Sequence, residues 1–491
     1  RQMCIRDSTD LADSIDKASG ARATPAATQW YFAEGYIGNG FLEYFSILNP
    51  SATQPASVNI TYLFADGRAP KTVNKVLAPS TRGTYSANTD LGYPYTQSAT
   101  ATISAIVTSV PNANNVTVPI VAERPMYFKF VNNINSGTDV LGATATQTDY
   151  YFAYGDTRQS STQHYYTYIT VLNPSTTQPV TVTGTYYAGG KQVGTENITL
   201  QPMQRGTLSP SDTGVGLHQQ VSMQVHATAG IVAERPMYVQ DNIPQAGGNI
   251  TGAASVVGAT APGSDWLFAE GSTSKNFQEN LVLSNFKPAD TTAQVTLEYA
   301  NNTQQVYNVP VPAFSQVIFD VNKNTVSTGT TDVSIAVHDP NSSIVAERMI
   351  YFTFYNGSSN VTGLTDAIGE NSTSGHSAYS FSEGYTANPN YEFLTLQNPS
   401  TNTVHAIVTL YDNQTVIQKT LTLAPQSRTT LTVNSIINPM VQAYAPHDYN
   451  VSLTVQGLDG RLVAERVYYF VIGGIYRGAT AFPGYTNIQY Q

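Results

Sequence analysis

Four copies of one short motif constrain this chain more than any other feature. Val-Ala-Glu-Arg stands inside I-V-A-E-R-P-M-Y at 120–127 and 231–238, I-V-A-E-R-M-I-Y at 344–351, and L-V-A-E-R-V-Y-Y at 462–469. A second, aromatic signature keeps the same rhythm: W-Y-F-A-E-G at 30–35, Y-Y-F-A-Y-G at 150–155, W-L-F-A-E-G at 266–271 and Y-S-F-S-E-G at 379–384. Its glycines are spaced by 120, 116 and 113 residues, and the Val-Ala-Glu-Arg glutamates by 111, 113 and 118. Two signatures with one period that long mean tandem modules, each far larger than a solenoid unit.

Further landmarks recur between the signatures. I-L-N-P-S (47–51), V-L-N-P-S (171–175) and L-Q-N-P-S (396–400) end an early strand with an Asn-Pro turn, and module three has Leu283-Ser284-Asn285-Phe286 instead. Asp-Gly, Gly-Gly and Asn-Asn then sit between strand-like runs, as tight hairpins require. A proline corner follows at A-P-S-T-R (78–82), Q-P-M-Q-R (201–205), P-A-F-S-Q (312–316) and A-P-Q-S-R (424–428). Three modules exit through G-A-T-A, at 142–145, 258–261 and 478–481, with Leu364–Ala367 near that place in module three.

Seven or eight short strands per module and no convincing helix predict an all-β chain: four tandem immunoglobulin-like β-sandwich domains in an elongated array with short linkers. The boundaries fall at 29–146, 147–262, 263–376 and 377–482, with an N-terminal segment 1–28 and a tail 483–491. R-Q-M-C-I-R-D-S at 1–8 reads as non-native, which sets aside the single cysteine, Cys4. Residues 9–19 predict a short helix.

The central puzzle is a glutamate beside an arginine in so apolar a run. Neighbours on a strand face opposite ways, so the two cannot simply pair with each other, and an unpaired buried charge costs several kcal/mol. A structural polar clamp within each module answers this. The corner arginines Arg82, Arg205 and Arg428 are expected on Glu123, Glu234 and Glu465, with Gln316 on Glu347. Glu34, Glu270 and Glu383 are expected on Arg124, Arg348 and Arg466, and Tyr154 on Arg235. The competing reading makes Glu34 and Glu123 a glycosidase-like acid/base pair, but four active sites along one rod, one of them lacking a carboxylate, argue against it.

Little else carries chemistry. The seven histidines fall at unmatched places without metal-ligand spacing, and the lysines do not recur as isopeptide cross-links would require. No cofactor motif is present. A net charge of −10 on a chain with only 11% charged residues argues against a nucleic-acid partner, and no apolar run reaches the roughly 18 residues of a membrane span. Eleven sequons are candidate glycosylation sites: Asn59, Asn115, Asn197, Asn249, Asn301, Asn341, Asn356, Asn360, Asn371, Asn413 and Asn450.

Together, W-Y-F-A-E-G, I-L-N-P-S, A-P-x-x-R and V-A-E-R-P-M-Y-F resemble the tandem β-domain repeats of exported cell-surface proteins in Chloroflexota and Actinobacteria, over residues 29–482. The resemblance implies an extracellular, non-enzymatic role. The chain opens and closes on module-like ends, so the expectation is a structural subunit of an extracellular filament or surface layer, a homopolymer joined head to tail. The alternative is an adhesin that binds surface glycans through exposed tyrosines.

Overall fold

Module three displays the repeating unit most simply. Its eight strands are, in order, Asp265–Phe268, Phe277–Asn285, Thr291–Tyr299, Gln304–Val311, Gln316–Asp320, Val333–His338, Ile344–Tyr355 and Asn360–Ile368. They pair antiparallel in two sheets, with strand order 4-3-6-1 in one and 5-2-7-8 in the other, and Glu370–Asn371 adds a short rung beside strand one. Strand three buries every second side chain at first (Thr291, Ala293, Val295, Leu297), the period a half-covered strand needs. The computed structural model describes residues 24–486 except 95, 97, 326–328, 413–414 and 444–448. The reading of residues 1–8, the helix at 9–19 and the sequon at Asn413 lie outside the described residues.

The same two strand orders recur in the other three modules. In module two, strands six and seven run on as one 24-residue strand, Gln220–Ile243. The pairing differs from the ABED and CFG sheets of constant-type immunoglobulin domains, because strand counts and turns are legible in a sequence and pairing order is not. The repeated asparagine of the Asn-Pro turn has a clear task. Asn49, Asn173, Asn285 and Asn398 are wholly buried, and each side-chain amide donates to main-chain carbonyls across the turn, at 2.9 Å to Gln54 and Ala78 for Asn49.

The modules do not form a row. Their eighth strands, Ile134–Thr138, Gly248–Val257, Asn360–Ile368 and Tyr476–Pro483, pack on one another in cyclic order, and the strand of module four lies against that of module one. Small residues allow this approach. A methyl group on Gly252 would sit 3.0 Å from Gly363 Cα, one on Gly363 3.3 Å from Gly478 Cα, and one on Gly478 2.7 Å from Ser136 Oγ. Ser136, Gly252, Gly363 and Gly478 thus stand at equivalent places around a pseudo-fourfold axis. The accessible surface of 18499 Å² fits this closure: a compact body of this mass should expose roughly 17,700 Å², and four separate quarter-sized domains roughly 25,700 Å². The elongated array is therefore corrected to a closed ring. A head-to-tail contact makes either a filament or a ring depending only on the rotation it applies, and no motif encodes that angle.

Two smaller corrections follow. The exit glycine of every module donates its N–H to the alanine of Val-Ala-Glu-Arg and lies against the aromatic-signature phenylalanine. These glycines are Gly142, Gly258, Gly369 and Gly484, against Phe32, Phe152, Phe268 and Phe381. The G-A-T-A of module four at 478–481 and the Leu364–Ala367 run of module three are thus out of register with the first two. Short helices also exist, at Ala87–Leu91, Val321–Asn324 and Asn434–Ala443, each between strands five and six. At ten residues or fewer they carry no periodic apolar face to betray them.

Candidate functional site at the module joints

Glu and Arg of Val-Ala-Glu-Arg are buried in all four copies. Because adjacent strand residues face opposite ways, each module turns its arginine towards the next module and its glutamate towards the one before. Arg124 meets Glu234 at 3.1 Å, Arg235 meets Glu347 at 2.7 Å, and Arg348 meets Glu465 at 2.8 Å. Arg466 closes the circle on Glu123 at 2.9 Å. The clamp therefore works between modules, and the within-module pairings are corrected. Inside its own module each arginine donates instead to the main-chain carbonyl of the aromatic signature: Glu34, Tyr154, Glu270 or Glu383. The glutamate in turn accepts a main-chain N–H of the previous module's signature, from Ala33, Tyr154, Ala269 or Ser382.

The corner arginines form a second row of the same joints. Each follows by two positions a residue in left-handed conformation: Ser80 at φ 56°, Met203 at 56° and Gln426 at 46°, with Phe314 at 51° before Gln316. Arg82 pairs with Glu383 at 2.5 Å and Arg428 with Glu270 at 2.6 Å, whereas Arg205 stands 3.4 Å from Glu34. Gln316 reaches the Ala153 carbonyl at 2.5 Å, not Glu347. Glu34 and Glu123 thus belong to different joints and do not face each other as an acid/base pair would.

A third set of carboxyls escaped the sequence reading. Glu43, Glu279 and Glu392 are wholly buried on strand two, each exactly six residues before the turn asparagine, and that repeated spacing is the signal that could have found them. Burial pushes each up to about 8, although Arg124, Arg348 and Arg466 respectively pull the other way. At neutral pH they are held as neutral acids. The helix asparagines Asn88, Asn322 and Asn434 fix them by accepting their main-chain N–H groups at 2.9, 2.7 and 2.8 Å. Module two has Thr167 at this place. Joints 4–1 and 2–3 also carry a second carboxylate, Asp139 beside Glu123 and Asp366 beside Glu347, sharing Arg466 and Arg235. Burial raises Glu123 and Glu347 well above the ordinary range, and the neighbouring aspartate adds to it.

The motif tyrosines Tyr127, Tyr238, Tyr351 and Tyr469 are buried in the joints. Tyr238 stacks 4.0 Å from Phe130 of module one, Tyr469 4.3 Å from Phe354, and Tyr127 meets Phe470 edge-on at 5.2 Å. No equivalent platform of exposed tyrosines recurs among the described residues. An open cleft of about 490 Å³ lies at joint 1–2, lined by Glu34, Tyr36, Phe41, Lys129, Phe130, Tyr168, Arg205 and Tyr238 among others. At joint 2–3 the corresponding space is about 170 Å³, and there Arg158 forks onto Asp156 while Tyr154 also donates to Asp156.

Of the sequons, Asn356 is buried and bonded to Pro389, Ser358 and Ser359, which removes it as a glycosylation site. Asn115, Asn197, Asn249, Asn301, Asn341 and Asn360 are exposed, and Asn59, Asn371 and Asn450 half-buried. His226 and His338 are matched after all, paired at 2.9 and 2.8 Å with Asp149 and Asp265, the residues immediately ahead of two aromatic signatures. Among the described residues no three His, Cys, Asp or Glu side chains gather as metal ligands, and no helix is long and apolar enough to cross a membrane.

No protein-family model matches the chain, and no curated protein does. Among solved structures, Thermotoga maritima 1070 is 23% identical, with 24% of this chain and 94% of that one covered at a TM-score of 0.20. The Anabaena sensory rhodopsin transducer is 20% identical over 19% of this chain and 87% of its own, at a TM-score of 0.16. A tetra-tandem repeat from the extending region of a large adhesion protein is 11% identical over 89% and 94%, at a TM-score of 0.11.

Proposed function

We propose that the protein is a non-enzymatic, extracellular binding ring that takes up surface carbohydrate where one module meets the next. The observation that carries this reading is the cleft at joint 1–2: rings of Tyr36, Phe41, Phe130, Tyr168 and Tyr238 converge with a few charged groups in a concavity of ligand size. Aromatic faces cover the C–H face of a sugar, and carboxylate, guanidinium and amine take its hydroxyls. In this reading the ring is one cooperative unit and not a string of independent immunoglobulin-like domains. The cell-surface placement rests on the resemblance drawn from the repeats.

Head-to-tail growth of a filament has less to stand on. The module-like ends meet each other within the chain: Tyr485 packs edge-on against Trp30 at 4.7 Å, and Ser380 of module four donates to the Pro25 carbonyl at 2.8 Å. A glycan array probed with the full chain, alongside electron microscopy, tests the proposal. Selective glycan binding by single rings, lost in Tyr168→Ala, is the expected result. Filaments without glycan binding would return the structural role to first place.

A further inference from the structure

Joint 1–2 differs from its siblings in what its corner arginine does. In joints 4–1 and 3–4, Arg82 and Arg428 donate Nη1 to the carbonyls of Gly384 and Gly271 at 2.7 Å and hold a glutamate at 2.5 and 2.6 Å. Arg205 makes only two long contacts through Nη2, 3.4 Å to Glu34 and 3.3 Å to Thr207, and its Nη1 donates to nothing among the described residues. Arg205 lines the open cleft, so the unused edge of its guanidinium is available to an arriving acceptor. Lys129, exposed at the rim of the same cleft, has no ion-pair partner there. The opposing charges deeper in the joint, Arg124 and Glu234, cancel. Two cations, Arg205 and Lys129, and one carboxylate, Glu34, thus face the open space across half-buried aromatic rings, a net positive cleft in a chain whose net charge is −10.

Building on the carbohydrate reading above, we infer that the cleft at joint 1–2 is a site for acidic sugars, with a hexuronate carboxylate held between the free edge of Arg205 and the Lys129 ammonium. The guanidinium fork matches a carboxylate in plane and spacing. Tyr36, Tyr168 and Phe130 supply the apolar walls that a pyranose ring needs and a small inorganic anion does not. Glu34, opposite Arg205, accepts sugar hydroxyls and turns the carboxylate towards the cationic side. Joints 4–1 and 3–4 close this edge on themselves and joint 2–3 has Gln316 in place of the arginine, so among the described residues joint 1–2 alone offers it.

The test is calorimetric titration of the full chain with tetramannuronate, with mannotetraose of the same length but without carboxylates, and with inorganic phosphate. Native protein, Lys129→Gln and Arg205→Lys are compared; Lys129 is exposed and outside the ring contacts, so its variant folds. Tetramannuronate should bind at least about tenfold more tightly than mannotetraose, with the preference lost in Lys129→Gln and reduced by salt. Arg205→Lys, which keeps the charge and removes the fork, should weaken tetramannuronate binding more than it weakens mannotetraose binding. Equal binding of both sugars, unchanged in Lys129→Gln, would overturn the acidic-sugar site while sparing the carbohydrate reading. Failure of both sugars would remove both. Phosphate binding as tight as tetramannuronate would show a simple anion hole and overturn the assignment.

Discussion

Joints 4–1 and 1–2 are built from the same motifs and have settled differently. In joint 4–1 Arg466 answers two carboxylates, Glu123 and Asp139, and Arg82 bonds Glu383, the Gly384 carbonyl, Ser46 and Thr84. In joint 1–2 Arg124 answers Glu234 alone, the position of Asp139 is taken by Ser255, and Arg205 hangs back from Glu34. The first joint locks module four onto module one, and the second opens onto a cleft. One repeated sequence thus supplies a lock at one place and room for a ligand at another, and the difference lies in one aspartate and about an ångström of arginine reach.

Breaking the lock should have the largest effect. Arg466→Met leaves two carboxylates buried without a cation and should cost about 3–5 kcal/mol, with the ring opened; Arg124→Met, which strands one, should cost less. Denaturant unfolding of the two variants ranks the joints, and equal losses would remove the distinction drawn here. At the axis, Gly252→Ala places a methyl 2.7 Å from Leu364 N and should destabilise by about 1–3 kcal/mol. Ser136→Gly, at the one equivalent place that already has a side chain, should cost only about 0.5–1 kcal/mol.

A pH series separates the joints by a third route. Glu43 at joint 1–2 and Glu392 at joint 4–1 keep their protons to about pH 8, whereas the unfolded chain releases them in the ordinary carboxyl range. Between those limits folding takes up protons, so each group makes stability fall as pH rises from about 4.5 to about 8, by at most about 1.4 kcal/mol per unit. Glu43→Gln and Glu392→Gln should each flatten that slope; Thr167→Val in module two, which has no such acid, should leave it unchanged. The finest comparison is between the corner arginines. Arg82→Gln should cost about 2–3 kcal/mol and Arg205→Gln about 1 kcal/mol, measured by the same unfolding curves.

Much of this was legible before any coordinate. The period, the strands and the hairpins follow from motif spacing and alternation, and buried Glu and Arg in one apolar run demanded partners. Which partners could not be read. Alternation says that Glu123 and Arg124 face opposite ways, but it is equally satisfied by a clamp inside one module and by a chain of clamps around a ring. Glycine register failed at 478–481 because G-A-T-A recurs six residues early, and the bond of Gly484 to Ala464 and its contact with Phe381 distinguish the two. Glu43, Glu279 and Glu392 were passed over because their partners come from short helices and neighbouring modules, although their fixed distance from the turn asparagine was there to be seen.

Small-angle X-ray scattering of the full chain in dilute solution tests ring closure most directly. A closed ring should give a radius of gyration near the roughly 23 Å of a compact chain of this length. A row of four sandwiches, each about 30 Å long from strands of about nine residues, would give roughly 35 Å and contradict the cyclic pairing of Arg466 with Glu123.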